Sequence, residues 1–132
     1  MRKTRLLTAL AVAAALAVPA TDALAQAAGK LKVGFMLPYT GTFAALGTAI
    51  ENGFRLYVNE QGGKLGGREI EYFVVDDESN PGKAPENTNK LIQRDKVDVL
   101  VGTVHSGVAM GMAKIVRETG VLWINPNAGA DE

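Results

Sequence analysis

Three kinds of segment in this sequence carry side chains that could do chemistry. His105-Ser106-Gly107 sets a hydroxyl beside an imidazole, and Asp76-Asp77-Glu78 gathers three carboxylates. The stretches 38–47, 103–107 and 125–131 are rich in Gly, Ser, Thr and Asn, so backbone and small polar groups there can approach a ligand closely. A serine hydrolase of the nucleophile-elbow type needs glycine two residues before and two after its nucleophile. Val104 and Val108 occupy those places around Ser106. An EF-hand loop counted from Asp77 puts Thr88 where the twelfth-position Glu belongs, so the acids are expected as solvated turn residues. There is no G-x-x-x-x-G-K-[ST] and no G-x-G-x-x-G after the first apolar run. With no Cys and one His, a thiolate nucleophile, a cysteine metal site and a His-rich site fall away. No cofactor, no metal and no enzymatic set of acid, base and nucleophile is expected. What remains for Ser106 is a helix start. Ser106 is expected to cap a helix whose free N–H groups and positive dipole end favour an anion such as a carboxylate.

The elements that must position these residues alternate between strand and helix. Residues 31–37 are an apolar run with Lys32 the only charge, ending at Pro38. From 42 to 60, Ala45, Ala49, Ile50, Phe54, Tyr57 and Val58 recur at helical spacing, and Gly62-Gly63 stops the helix. Gly66-Gly67 turns the chain into a strand at 69–75. Asn80-Pro81 reads as an N-cap with proline in the first turn of a helix reaching Arg94, with Pro85 forcing a kink or a late start. A third strand, 97–101, is broken only by Asp98. A helix from 106 to 118 carries Ala109, Met112, Ala113 and Val116 on one face, Gly120 ends it, and 121–124 is a fourth strand. The expected fold class is α/β, a doubly wound parallel sheet covered on both faces and joined by right-handed crossovers. In such a sheet, ligands bind beyond the carboxyl ends of the strands, where all three polar loops fall.

Charge separates the chain into two unlike parts. Arg2, Lys3 and Arg5 precede an apolar run over 6–18, Pro19 breaks it, and Ala23-Leu24-Ala25 supplies small residues for cleavage. A cationic start, a short apolar stretch and an A-x-A site are the three parts of an export signal. The stretch is shorter than the roughly 20 apolar residues of a membrane-spanning helix. Cleavage after Ala25 would leave 11 basic and 13 acidic residues, an exported and mildly acidic body with no later membrane span. The balance argues against a nucleic-acid partner.

Val74-Val75-Asp76-Asp77-Glu78 is similar to the acidic start of a receiver domain. A receiver needs a further Asp after its third strand, where this chain has Gly102-Thr103, and an exported one would lack its kinase.

The ordered set of motifs resembles another family throughout the body of the chain. Pro38-Tyr39-Thr40-Gly41 precedes a helix, Asn59-Glu60-Gln61-Gly62-Gly63 closes it, and Val74-Val75-Asp76-Asp77 follows. Gly102-Thr103-Val104-His105-Ser106 and Asn125-Pro126-Asn127-Ala128-Gly129 come next, in order. Together with the export signal, these resemble the type 1 periplasmic solute-binding proteins, in particular the branched-chain amino-acid (Leu/Ile/Val) binding group of ABC importers.

The resemblance implies two α/β lobes, Rossmann-like and hinged, closing on a small carboxylate. It places Ser106 against the ligand carboxylate with neighbouring N–H groups, and Asn127 and Gly129 at the head group. Leu46 falls where an aromatic often lies, with Phe43 beside it, and His105, Gly107 and Ala128 share the ligand loops. Gly129 stands where amino-acid binders often have a hydroxylated residue. The run from Asn127 to Asp131 looks closer to members taking aromatic or other organic acids. The implied organisation is a signal peptide over 1–25 and an incomplete N-terminal lobe over 26–132, either truncated or a fragment. Such a part is expected to bind ligand weakly or not at all, and to leave the last strand at an uncovered edge. The implied partners are a small carboxylate and the permease and ATPase subunits of an importer. The implied location is the periplasm. A sensory module of the same fold, feeding a receptor or kinase, is the alternative.

Overall fold

The computed structural model describes residues 29–129; the signal expected at 1–25 and the Ala130 and Asp131 end of the third loop lie outside the described residues. Strand β1 (Leu31–Leu37) runs through the middle of the sheet. Helix α1 (Ala44–Glu60) follows, then β2 (Lys64–Leu65) and β3 (Arg68–Asp76). A 3-10 turn (Pro81–Lys83), helix α2 (Ala84–Asn89) and a π turn (Lys90–Arg94) lead to β4 (Val99–Val101). Helix α3 (Ser106–Thr119) and β5 (Leu122–Ile124) complete the described chain. The strand order is β2-β3-β1-β4-β5. β1 pairs in parallel with β3 and β4, and β4 with β5.

The α/β layering follows from the pleat of β1, whose successive side chains point to opposite faces. Val33, Phe35 and Leu37 pack with Val101 on the face covered by Ile50 and Phe54 of α1. Phe35 stacks on Tyr72 at 5.7 Å and meets Phe54 edge-on at 5.3 Å. Met36 faces the other way, among Val75, Leu100, Ala84, Leu91, Val108, Met112 and Val116. Each fully buried Val, Leu or Met side chain there contributes roughly 1.5–3 kcal/mol. Gly34 shares that face by the pleat, and a Cβ there would come within 3.1 Å of Val97 and 3.3 Å of Leu91, so the π turn and the segment after it sit close on β1.

Four features depart from the expected fold. The sheet is mixed: the short β2 pairs antiparallel with β3 through Gly66 and Gly67, whose φ values of 56° and 77° suit a tight hairpin. The helix expected from Asn80 to Arg94 is three pieces. Asn80 does cap it, accepting the Gly82 N–H at 2.9 Å, and Pro85 lies in the first turn of α2, so the α-helix starts late. At its far end, the Asp95 N–H donates to the Lys90 carbonyl at 3.1 Å, the wider closure of a π turn. Finally, the strand expected from Val97 begins at Val99, and β5 begins at Leu122 rather than Val121.

The two ends of the sheet are tied differently. At the amino ends, the Asp98 carboxylate accepts the Lys32 N–H at 2.9 Å and pairs with Arg68 at 3.2 Å, joining β1, β3 and β4. The carboxyl ends of β1, β3, β4 and β5 lie along the opposite edge, and the polar loops leave from there. β5 stands last in the order, with Leu122 and Ile124 exposed.

Candidate functional site

The loop after β1 is built first. Gly47 in α1 lies so close to Pro38 that a Cβ would sit 1.9 Å from the Pro38 carbonyl oxygen. That approach brings the start of α1, with Phe43 and Leu46, over the end of β1. Tyr39 points back along the helix and donates its hydroxyl to Glu51, which also accepts from Arg55 at 2.6 Å. The Arg55 guanidinium in turn lies 3.8 Å from the centre of the Tyr72 ring. Burial, and then the hydrogen bond to Glu51, push the Tyr39 phenol far above its ordinary pKa, so it stays a donor.

Two of the three acids expected to be solvated are not. Asp76 is half-buried and Asp77 fully buried. At the end of a strand, consecutive side chains leave on opposite sides. Asp76 reaches the loop after β1. Its Oδ1 accepts the Tyr39 N–H at 2.9 Å, the Glu78 N–H at 2.9 Å and the Thr40 N–H at 3.4 Å, and its Oδ2 accepts the Thr40 hydroxyl at 2.7 Å. Asp77 accepts the Ser79 N–H at 2.7 Å and the hydroxyl of Thr103, itself fully buried. Only Glu78 matches the expectation, exposed and paired with Lys83. The physical reason is supply of donors: a carboxylate tolerates burial when enough N–H and O–H groups converge on it.

The loop after β4 contains a cis Gly102-Thr103 peptide, and Gly102 is held between neighbours. A Cβ there would sit 2.0 Å from the Met36 carbonyl oxygen, and its own carbonyl accepts from Trp123 Nε1 at 2.5 Å. The next residues correct the expected cap. His105, not Ser106, is the N-cap of α3: its backbone is extended, and its Nδ1 accepts the Gly107 N–H at 3.0 Å. With Nδ1 accepting, the neutral ring carries its proton on Nε2, which is then a donor. Ser106 is the first residue of the helix and exposed. Gly107 has a packing reason to be glycine, since a Cβ would lie 2.8 Å from Pro81 and 3.0 Å from the His105 ring.

The arrangement draws Phe43 and His105 together across the β1 and β4 loops, ring centres 6.0 Å apart and tilted by 55°. Both are half-buried, whereas Leu46 is 45% exposed. On the adjoining loop after β5, Asn125 braces the backbone in both directions. Its Nδ2 donates to the Ala128 carbonyl at 3.0 Å, and its Oδ1 accepts the Ala128 N–H at 3.0 Å. Asn127 and Gly129 are exposed on that loop. Among the described residues, no group of three or more His, Cys, Asp or Glu is placed to hold a metal ion, and no helix is long and apolar enough to cross a membrane.

A mixed α/β sheet with polar loops gathered at its carboxyl edge fits many families, and comparison decides among them. A family profile described as periplasmic binding protein matches residues 30–132. The chain belongs to the periplasmic binding protein family. Within that family its relatives are of the branched-chain amino-acid type. A Leu/Ile/Val-binding protein of Rhizobium johnstonii is 33% identical over 105 residues, 77% of this chain and 28% of that protein. A solute-binding protein of an ABC transporter from R. palustris, solved in complex with benzoate, is 66% identical. It superposes with a TM-score of 0.76 over 77% of this chain and 28% of its own. The substrate-binding protein LivJ of Streptococcus pneumoniae, solved with isoleucine, is 33% identical with a TM-score of 0.71, covering 77% of this chain and 30% of its own. This periplasmic binding protein chain thus spans under a third of the length of these relatives.

Proposed function

We propose that the chain forms the front of the substrate-binding component of an ABC-type importer, acting in the periplasm on a small aromatic carboxylate of the benzoate kind. The observation that carries this reading is the Phe43–His105 ring pair, set beside the first turn of α3. Rings at that spacing offer a planar apolar ligand edge and face contacts. The first turn of α3 offers a carboxylate the Ser106 N–H, the Gly107 N–H being taken by His105, and the positive end of the dipole. In this reading Ser106 adds its hydroxyl and His105 its Nε2–H, while Asn127, Ala128 and Gly129 close the site from the β5 loop and Leu46 and Phe43 line the apolar side. Gly107 supports the site through its close packing.

The ligand is held without turnover and passed to permease and ATPase subunits. The solved R. palustris relative at 66% identity was crystallised with benzoate, which supports an aromatic acid over an aliphatic amino acid. The two solved relatives named above are binding proteins of transporters, which supports the importer over a sensory module. The export signal over 1–25 belongs to the same reading.

A thermal-shift panel of benzoates and branched-chain amino acids tests the ligand class, because binding to the native state raises its apparent stability. Benzoates are expected to raise the midpoint more than leucine or isoleucine, and Ser106→Ala to reduce that rise. The opposite ranking would move the ligand to the amino acids.

A further inference from the structure

Two adjacent carboxylates at the end of β3 touch the loops on either side of the ligand edge, although neither belongs to those loops. We infer that Asp76 and Asp77 are positioning residues: Asp76 holds the loop leading to Phe43 and Leu46, and Asp77 holds the loop leading to His105 and Ser106. This inference rests on the reading of that edge as a carboxylate site. Asp76 takes four donors, three from Tyr39 and Thr40 and one from Glu78. Asp77 reaches past β1, which lies between β3 and β4, to the hydroxyl of Thr103. Thr103 is two residues before His105, so the grip on one fixes the entry to α3.

The chemistry is distinctive because it runs against simple attraction. A carboxylate ligand gains nothing from two further negative charges near it, and by Coulomb's law alone their removal would tighten its binding. Their placement makes sense if they act on the loops. Each carboxylate gathers donors that would otherwise fray into water, and the ordering cost of the loops is met before the ligand arrives. Positioning and bare charge therefore give opposite signs for the same substitution.

The test uses the full chain, with benzoate as the probe, followed by NMR titration and amide hydrogen exchange. In the wild type, benzoate is expected to move the Ser106 and Gly107 amides. Asp76→Asn is expected to weaken benzoate about fivefold and to speed exchange at Tyr39 and Thr40. Asp77→Asn risks the fold, so its side is tested through its partner. Thr103→Val is expected to weaken benzoate about fivefold and Thr103→Ser to restore it, since serine keeps the hydroxyl. Thr40→Val reports on the Asp76 side without altering charge and is expected to weaken benzoate likewise.

Unchanged or tighter benzoate binding in Asp76→Asn and Thr103→Val would overturn the inference. If benzoate leaves the wild type unmoved, the ligand reading fails, and exchange still decides the grip. Faster exchange at Tyr39 and Thr40 in Asp76→Asn upholds it, and unaltered exchange overturns it.

Discussion

The buried carboxylate of Asp77 accepts the hydroxyl of Thr103 across the intervening strand β1, tying the end of β3 to the loop after β4. Both residues are fully shielded from water, so the bond cannot be exchanged for solvent. Thr103→Val keeps the shape of the side chain and removes the donor. It is expected to destabilise the fold by about 2 kcal/mol, the scale for a hydrogen bond to a charged group. Urea unfolding measures it, and a change within error would mean that another donor replaces the hydroxyl.

Asp76 gives the fold an acid-sensitive tie. Burial pushes its carboxyl up, but the Thr40 hydroxyl and the Tyr39, Glu78 and Thr40 N–H groups outweigh burial and hold it below the ordinary value. A folded pKa below the unfolded one of about 3.9 gives stability that is complete above that value and lost as pH falls through the folded one. The stability gap between wild type and Asp76→Asn is expected to be constant from neutral pH to about pH 5 and to close on further acidification. A gap that widens in acid would contradict the assignment.

His105 serves two roles that substitution separates. As N-cap of α3 it accepts the Gly107 N–H, and as a ring it faces Phe43. His105→Ala is expected to cost about 1 kcal/mol, and His105→Asn to recover most of that, because Asn caps well. Neither substitution keeps the ring. Both are expected to weaken benzoate alike in a thermal-shift series, and recovery of binding in His105→Asn would reduce the imidazole to a cap.

The strands and helices were legible in sequence because their periodicities are strong. The apolar run ending at Pro38, the Asn80-Pro81 start and the Gly120 stop all stand in the structure where pattern put them. Other features turn on geometry that residue types do not carry. β2 has two residues, too few for any period, and its pairing depends on the φ values of Gly66 and Gly67. Ser106 has the composition of a cap, yet the extended backbone falls one residue earlier, at His105. Asp76 and Asp77 read as solvated because nothing in a linear sequence shows Thr40 and Thr103 converging on them. Of the candidate site, Phe43 and His105 are brought together by the fold, a contact that no spacing in the sequence shows, while Gly107 owes its identity to Pro81.

Gly47→Ala tests the close seating of α1 that brings Phe43 and Leu46 to the edge. In an open helix this change would favour folding by up to about 1 kcal/mol. Here the new methyl would meet the Pro38 carbonyl at 1.9 Å, and overpacking of that kind costs about 3 kcal/mol. A lowered melting midpoint is expected; a raised one would mean that α1 can lift from β1 without strain.

The most direct test of the central claim is an NMR titration of the full chain with benzoate and, in parallel, isoleucine. Benzoate is expected to bind weakly, moving the amides of Ser106, Gly107 and Asn127 together along one saturating curve, with isoleucine producing smaller shifts at the same concentrations. Shifts confined to residues away from the β1, β4 and β5 loops, or a stronger response to isoleucine, would contradict an aromatic-acid site at this edge.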